Sequence, residues 1–238
     1  MPEMDPFSPH RYPTPTRPLL GLTVLVVEDS RFSCEAMRLL CLRSGARIRR
    51  ADCLRSARRH LQVYRPSVVI IDLGLPDGSG AELIDELNRT VPRVSVILGT
   101  SGDDMAESMS MAAGADGFLA KPVHSLAAFQ ETILQNLPAD SQPTGPRPLN
   151  DEEIVPDQVA YRDDMAHVAD VLGEDLNELT LDYVAQFVTG VAKSAGDAEL
   201  VAAGRALAES RSDKSPSRSH LARIAGMVQE RINDRIAI

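Results

Sequence analysis

The sequence has few cysteines and no long apolar run, and each shortage excludes a class of protein. Its three cysteines, Cys34, Cys41 and Cys53, are an odd number without metal-ligand spacing, so we expect reduced thiols rather than a disulfide framework. No apolar run approaches the roughly 20 residues that span a bilayer. The Pro-rich N-terminus carries Glu3 and Asp5 and is unlike a secretory signal. We therefore expect a cytoplasmic protein without a membrane-spanning segment.

Basic residues are scarce in the C-terminal part of the chain. Residues 150–238 hold 17 acidic and 9 basic side chains, a net charge of −8, whereas residues 1–149 hold 17 and 16, a net charge of −1. Phosphate binding needs a positive face, so this balance argues against nucleic acid as a partner. The same part lacks a basic recognition helix. It also lacks the Gly-Gly-Asp-Glu-Phe, Glu-Ala-Leu and His-Asp signatures of cyclic-dinucleotide enzymes.

Apolar residues between Leu22 and Leu137 follow an alternating strand and helix pattern. Short apolar runs rich in β-branched residues alternate with segments of helical periodicity. The predicted strands are 24–27, 46–50, 68–72, 94–99 and 117–120, and the predicted helices are 31–43, 54–64, 80–89, 104–113 and 126–137. This alternation predicts an α/β fold, a (βα)5 doubly wound parallel sheet with helices on both faces.

Two Pro-rich segments divide the chain. Residues 1–18 hold six prolines and are predicted to be a disordered tail, so we place the α/β domain at 19–138. Four prolines between Pro138 and Pro148 predict a linker at 139–150. Residues 151–238 are then a smaller all-α domain, with helices predicted at 158–172, 176–193, 197–208 and 221–236. Such helices fit a small bundle or a helical dimerisation element.

Asp72 closes the apolar run Val68–Ile71 and precedes a loop rich in Gly and Pro. Such a run predicts a buried parallel strand, and the loop predicts the turn into the next helix. A carboxylate at the C-terminal end of a parallel strand lies where doubly wound sheets bind ligands and carry out chemistry. Asp72 is therefore the first candidate site residue.

Further polar residues follow the neighbouring strands. Glu28 and Asp29 end the first strand, Thr100 ends the fourth, and Lys121 follows the fifth. Carboxylates that converge repel one another, and a divalent cation relieves that repulsion. Mg²⁺ suits this set because it prefers oxygen ligands and keeps several waters. Carboxylates, metal, hydroxyl and lysine together predict a site for phosphoryl transfer to a carboxylate.

Over roughly residues 20–138 these motifs resemble the receiver domain of bacterial two-component response regulators, which has a flavodoxin-like fold. The resemblance is carried by Val26-Val27-Glu28-Asp29-Ser30, by Asp72 with Leu75-Pro76 and Gly80, and by the run from Gly114 to Pro122. The separations of 43 residues from Asp29 to Asp72 and of 28 from Asp72 to Thr100 also fit the family.

The resemblance implies a role for each site residue. Asp72 is the phosphoacceptor, Thr100 the switch hydroxyl, Lys121 the contact to the phosphoryl oxygens, and Phe118 the aromatic that turns inward on activation. The implied Mg²⁺ ligands are Glu28, Asp29, Asp72 and the backbone carbonyl of Gly74. The donor is then a sensor histidine kinase or a histidine phosphotransfer protein. The chain is no enzyme beyond its own Mg²⁺-dependent phosphorylation.

Two departures from the family pattern concern the switch position and the phosphoryl lifetime. The stretch that leads to Lys121 is one residue shorter than usual, so a count back from it gives Gly99 the switch position. We favour Thr100, because it supplies the hydroxyl. Gly74 and Gly102 have no side chain that could position or block a hydrolytic water, which leaves the lifetime open. A degenerate receiver that binds without being phosphorylated is the alternative interpretation.

Three other features allow more than one interpretation. Eight arginines at positions 43–65 form either a solvated basic face or a face that docks the acidic C-terminal segment. Residues 195–210 are weakly similar to the phosphohistidine helix of histidine phosphotransfer domains, with Arg205 in place of the histidine. His167 and His220 suit surface or capping roles, although His220 also meets the first requirements of a phosphorelay histidine.

Phosphorylation-controlled signalling is the function we expect. Output would pass through the C-terminal helices to an unknown output protein, by protein–protein contact or by formation of a homodimer. One alternative is a DNA-binding transcriptional regulator, which the charge of residues 150–238 opposes. The other is a phosphorelay intermediate with a C-terminal phosphohistidine.

Overall fold

The apolar segments of the N-terminal part form one parallel sheet in the computed structural model, which describes residues 12–103, 105–143, 145–146, 148, 150–173, 177–213 and 217–234. Its strands are β1 (Thr23–Val27), β2 (Arg47–Ala51), β3 (Val68–Asp72), β4 (Val96–Ser101) and β5 (Gly117–Ala120). Their order in the sheet is β2–β1–β3–β4–β5, and every pairing is parallel. The predicted (βα)5 doubly wound sheet is confirmed.

Helices cover both faces of this sheet. They are α1 (Arg31–Ser44), α2 (Leu54–Val63), α3 (Gly80–Arg89), α4 (Ala106–Ala112) and α5 (Leu126–Asn136). Buried apolar side chains of α1 and α5, such as Met37 and Phe129, pack against one face. Those of α2 and α3, such as Leu54 and Ile84, pack against the other. The two cores make the sheet edge a rigid platform for the loops that follow its strands.

Two segments of the α/β domain differ from the simple strand and helix pattern. Of the tail predicted over 1–18, residues 1–11 lie outside the described residues. Thr14 and Arg17 exchange two backbone hydrogen bonds of 3.1 Å, and Leu19 is fully buried in the core. After β3, Gly74–Leu75 pairs with Gly78–Ser79 in a short antiparallel hairpin that the sequence pattern did not predict.

The C-terminal part folds into α6 (Gln158–Leu172), α7 (Glu178–Ala195), α8 (Ala198–Ser212) and α9 (Arg218–Asn233). These helices share one apolar core, to which each contributes buried side chains. Asp197, the first residue of the helix predicted at 197–208, caps α8, because its side chain accepts a hydrogen bond from the backbone N–H of Leu200. Among the described residues no helix combines the length and apolar composition needed to cross a membrane.

The helical domain is attached to the α/β domain by the segment that precedes α6. Ser125 and Glu153 form an antiparallel bridge, and Ile154 is buried in the core beneath α1 and α5. A second contact runs in the opposite direction, since Phe32 of α1 is buried in the core of the helical domain. The two domains therefore share parts of each other's apolar cores.

Candidate functional site

Register within the sheet brings the predicted site residues to one edge. Asp72 is the last residue of β3 and lies opposite Thr100 of β4. Glu28 and Asp29 follow β1 directly, and Lys121 follows β5 directly. The carboxyl ends of parallel strands meet at the same edge, so the strand order places β1 and β4 on either side of Asp72.

Three carboxylates gather at this edge. Glu28, Asp29 and Asp72 each offer one oxygen, and these oxygens lie within 4.8 Å of one another. Asp72 is only 7% exposed, and Glu28 is buried. Within the part of the chain that the structure describes, Asp29 Oδ1 is buried without a hydrogen-bond partner. An orphaned carboxylate oxygen beside two further carboxylates fits a hard divalent cation that takes oxygen ligands.

Lys121 joins this cluster from β5. Its Nζ lies 2.6 Å from Glu28 Oε2 and 2.8 Å from Asp72 Oδ2, in ion pairs that are almost completely buried. The same two carboxylates raise the pKa of Lys121 above its ordinary value, although burial alone would lower it. The ammonium therefore stays charged and offsets part of the negative charge of the pocket.

Burial has the largest effect on the pKa values of Asp29 and Glu28. It raises the pKa of Asp29 to about 7, with a further contribution from the charge of Asp72. It also raises the pKa of Glu28 well above the usual range, against the opposing effect of Lys121. Without a cation, burial therefore favours the neutral forms of these two carboxyls; three carboxyl groups around one lysine would be relieved by a bound divalent cation.

Thr100 and Phe118 lie next to this pocket on β4 and β5. The Thr100 hydroxyl is fully buried and donates a 2.7 Å hydrogen bond to the carbonyl of Leu119. Gly99 lies opposite Ile71 rather than Asp72, and a Cβ atom at Gly99 would overlap Ser110. Thr100 is thus the β4 residue that pairs with Asp72. Phe118 is half-buried and packs against the core on the α2 and α3 face.

Helix α7 of the helical domain lies over the same pocket. The Tyr183 hydroxyl donates a 2.6 Å hydrogen bond to Asp29 Oδ2. It is also 3.0 Å from Nε2 of His167. Since its single proton goes to Asp29, we infer that His167 donates to the Tyr183 oxygen. Burial and the charge of Asp29 raise the pKa of Tyr183, so the hydroxyl stays protonated and remains a donor.

Asp164 of α6 anchors the helical domain beside the pocket. Its buried carboxylate accepts hydrogen bonds from Ser30 Oγ at 2.7 Å, from Arg31 N at 2.7 Å and from Phe32 N at 3.0 Å. These donors lie at the N-terminus of α1, where backbone N–H groups lack helical partners and a negative charge is stabilised. The anchor begins one residue after Asp29.

Sequence reasoning did not identify Tyr183 or Asp164 as site residues. Tyr183 gave no signal beyond that of an apolar helix face, and Asp164 is one of 17 acidic residues in the segment 150–238. Their roles depend on how α6 and α7 dock onto α1, which is a long-range arrangement without a local pattern. A single sequence holds no signal that would have singled them out.

The arginines at positions 43–65 contribute little to this docking. Arg43 Nε lies 2.7 Å from Glu152, while Arg58 pairs with Glu86 inside the α/β domain. The acidic helices dock instead onto the N-terminus of α1 and the loops of the pocket. Of the predicted docking between this basic face and the acidic segment, the structure shows the Arg43–Glu152 ion pair, at the edge of the face.

Comparison with known proteins identifies the α/β domain. Residues 24–133 match the family model described as the response regulator receiver domain. The KDP operon transcriptional regulatory protein KdpE of Escherichia coli is 30% identical over 126 residues, which are 53% of this chain and 56% of that protein. The virulence transcriptional regulatory protein PhoP of Salmonella typhimurium is 30% identical over 125 residues, 51% of this chain and 56% of that protein.

Solved structures are similar over the same part of the chain. A signal receiver domain of a histidine kinase from Syntrophus aciditrophicus is 23% identical with a TM-score of 0.45, covering 49% of this chain and 90% of that one. A response regulator from Chloroflexus aurantiacus is 29% identical with a TM-score of 0.40, covering 42% of this chain and 85% of that one. The matched residues span little more than half the length of KdpE and PhoP. None of these four matches covers the whole chain.

Proposed function

Because residues 24–133 are a response regulator receiver domain of a two-component system, we propose that the chain accepts a phosphoryl group on Asp72. The donor is a sensor histidine kinase or a histidine phosphotransfer protein. One observation supports this most directly: the Asp72 carboxylate pairs with the Lys121 ammonium at 2.8 Å, gathers with two further carboxylates and lies opposite Thr100. These are the components that phosphoryl transfer to a carboxylate needs.

In the proposed reaction a carboxylate oxygen of Asp72 attacks the phosphorus of a phosphohistidine. The new O–P bond forms as the N–P bond breaks, and the histidine nitrogen leaves with the bonding electrons. The residues that would hold Mg²⁺ are Glu28, Asp29, Asp72 and the carbonyl of Gly74. When bound, the ion stabilises charge on the phosphoryl oxygens.

Lys121 and Thr100 would respond to the new phosphoryl group. Lys121 already pairs with Asp72, so its ammonium needs only a small movement to contact a phosphoryl oxygen. Thr100 would exchange its hydrogen bond to Leu119 for one to the phosphoryl group. That movement opens space beside Phe118, which would turn inward and reshape the surface formed by α4, β5 and α5.

We further propose that the helical domain carries the output by protein–protein contact. Its helices α6 and α7 contact the pocket itself, so a change there reaches them without an intermediary. The names of the relatives KdpE and PhoP keep transcriptional regulation as a second candidate. Their similarity covers about half of this chain, and the net charge of −8 over residues 150–238 opposes DNA binding. Salt-dependent DNA binding by the full chain would favour the second candidate.

A phosphohistidine in the helical domain is a separate alternative. His167 is exposed on α6 and contacts Tyr183, whereas His220 is half-buried in the first turn of α9. An acid-labile phosphoryl label that persists in Asp72→Ala and disappears in His167→Ala or His220→Ala would establish it.

The test of the phosphoacceptor uses acetyl phosphate and Mg²⁺ with wild type and Asp72→Asn. Intact mass spectrometry should show one phosphoryl addition on wild type and none on the variant. Size-exclusion chromatography of the same samples would show whether the addition changes self-association. A degenerate receiver would show no addition with acetyl phosphate or with any kinase.

A further inference from the structure

One face of α7 lies across the loops that surround Asp72. The face consists of residues spaced three, four and three apart, which brings them onto one side of a helix. Its members are Tyr183, Gln186, Gly190 and Lys193. Tyr183 bonds to Asp29 after β1, and Lys193 Nζ donates to the carbonyl of Gly102 after β4 at 2.5 Å. Gln186 lies against Gly74 after β3.

Glycine on the receiver side makes this approach possible. A Cβ atom at Gly74 would overlap the Gln186 side chain, and one at Gly102 would lie 3.2 Å from the Cα atom of Gly190. The receiver thus has no side chain at two loop positions against which α7 lies. Small residues at such positions allow elements to approach one another directly.

The anchors of α6 hold α7 in this position. The Asp164 carboxylate binds the first turn of α1. The ring centroids of Phe32 and Tyr161 lie 5.8 Å apart in an edge-to-face contact. Behind α7, buried Phe187 and Val191 pack into the core of the helical domain. The face on Asp29, Gly74 and Gly102 is therefore part of a packed domain rather than a loose segment.

This arrangement limits access to the phosphoacceptor. The Asp72 side chain is 10% exposed. A phosphohistidine or acetyl phosphate has to approach from the edge of the sheet that α7 covers. Asp29 Oδ1 has no hydrogen-bond partner among the described residues and Tyr183 bonds to Oδ2, so a cation bound to Oδ1 would not compete with Tyr183. A phosphoryl donor is far larger than a cation.

We propose that α7 is a cover over the phosphorylation site, latched by Tyr183 on Asp29 and by Lys193 on Gly102, and that the phosphoryl donor reaches Asp72 only when α7 withdraws. The proposal rests on the proposed function, because it assumes that Asp72 is the phosphoacceptor. It makes labelling of Asp72 proportional to the fraction of molecules in the open state. A phosphoryl group that favours the open state would in turn free the α7 face.

The latch is tested with Tyr183→Phe, which removes only the hydroxyl. Tyr161→Phe is the matched control, because it keeps the ring that contacts Phe32 and removes only a hydroxyl that bonds to a carboxylate, Asp197, at 2.8 Å within the helical domain. Loss of a hydrogen bond to a charged group should raise the initial rate of labelling by acetyl phosphate about tenfold in Tyr183→Phe. Lys193→Met should raise it less, and Tyr161→Phe should match wild type.

Hydrogen exchange without any phosphoryl donor provides an independent measurement. Backbone amides at residues 72–80 and 101–103 should exchange faster in Tyr183→Phe than in wild type, and Tyr161→Phe should leave them unchanged. Faster exchange without labelling would support the cover and reject Asp72 as phosphoacceptor. If wild type and Tyr183→Phe are labelled at the same rate and exchange equally, the cover is overturned, while Asp72 remains the phosphoacceptor.

Slower labelling in Tyr183→Phe would also overturn the proposal, since Tyr183 would then position Asp29 for the metal. Isothermal titration with Mg²⁺ separates the two roles. A positioning tyrosine predicts a Kd for Mg²⁺ that weakens in Tyr183→Phe. A cover predicts a Kd that is unchanged or tighter, together with the faster labelling.

Discussion

The helical domain touches the receiver in two regions that differ in chemistry. Residues 152–154 attach by backbone hydrogen bonds, from Leu126 N to Glu152 O at 3.1 Å and from Ile154 N to His124 O at 2.9 Å, and by burying Ile154 in the receiver core. Over the acidic pocket, by contrast, α6 and α7 add polar contacts to Asp29, the loop after β4 and the first turn of α1.

We call the segment 152–154 the tether. The contacts of α6 and α7 over the pocket are polar and therefore more sensitive to a change of charge there. Apolar burial and backbone pairing do not depend on the charge of the pocket, so we expect the segment 152–154 to stay attached when the charge at Asp72 changes. Hydrogen bonds to Asp29 compete with any ligand that changes the charge around it. In the proposed open state α7 would withdraw, while the segment 152–154 and the buried Phe32 would keep the helical domain close to the receiver.

Breaking the tether should have the largest effect on stability. Ile154→Ala removes a buried side chain and leaves a cavity, so we expect the free energy of unfolding to fall by about 2–4 kcal/mol in urea titrations. The neighbouring Val155 is 77% exposed, and Val155→Ala should change it by less than about 0.5 kcal/mol. The initial rate of Asp72 labelling should stay within about twofold of wild type, since α7 keeps its own anchors. A rate increase equal to that of Tyr183→Phe would mean that the two regions are one unit.

Removing the anchor of α6 should lower the free energy of unfolding less than Ile154→Ala does. It should raise the initial rate of Asp72 labelling more. Asp164→Ala leaves Ser30 Oγ, Arg31 N and Phe32 N without their acceptor, at a cost of about 1–3 kcal/mol. The adjacent Asp163 makes an exposed ion pair with Arg31, so Asp163→Ala is the matched control and should cost less than about 1 kcal/mol. Equal effects of the two variants in urea unfolding would show that the buried anchor has no special weight.

The sequence predicted one side of this contact and not the other. The strand-end residues Glu28, Asp29, Asp72, Thr100 and Lys121 could be placed at one edge because parallel strands have a fixed direction and register follows from apolar runs. The extent of α6 also followed from local pattern, since the predicted and observed helices both span 158–172. How the helical domain docks could not be predicted, because Tyr183 and Asp164 act through tertiary contacts that leave no periodic signal.

Gly74 and Gly102 illustrate the same limit. From sequence they were positions that lack a side chain to control water, and that observation concerned the lifetime of a phosphoryl group. In the structure the same absence leaves room for Gln186 and Gly190 of α7. A missing side chain can be detected in a sequence, but the group that fills the space can be identified only from the fold.

The ion pair between Arg43 and Glu152, at the edge of the tether, should contribute little to the free energy of unfolding. Arg43 Nε and Glu152 lie 2.7 Å apart, with side chains 54% and 33% exposed. Exposed pairs of this kind contribute about 0–1 kcal/mol, so Glu152→Gln should lower the free energy of unfolding by less than that. The difference between this variant and wild type should shrink further in 1 M salt, because screening weakens exposed charges most. A loss as large as that of Ile154→Ala would make the basic face a true docking surface.

Two capping carboxylates should respond to pH with opposite signs. Asp197 caps α8, and although burial alone would raise its pKa, hydrogen bonds from Arg231, Leu200 N and Tyr161 lower it below the usual value. The folded state then favours the ionised form, so this contribution is present above the unfolded pKa of about 3.9 and is lost as pH falls through the lower folded value. Burial raises the pKa of Asp164, despite the hydrogen bonds that it accepts. Its folded state holds the proton more tightly, and stability falls as pH rises from about 3.9 toward the folded value.

Thermal unfolding between pH 3 and pH 7 separates these two effects. The Tm difference between wild type and Asp197→Asn should shrink on acidification, because protonation removes the charge that the variant lacks. The difference between wild type and Asp164→Asn should move in wild type's favour over the same range, since a protonated Asp164 no longer carries a buried charge. Parallel pH dependence of the two differences would contradict the assignment. It would mean that the anchor of α6 is as accessible to solvent as the cap within the helical domain, and the contact over the acidic pocket would then be open in solution.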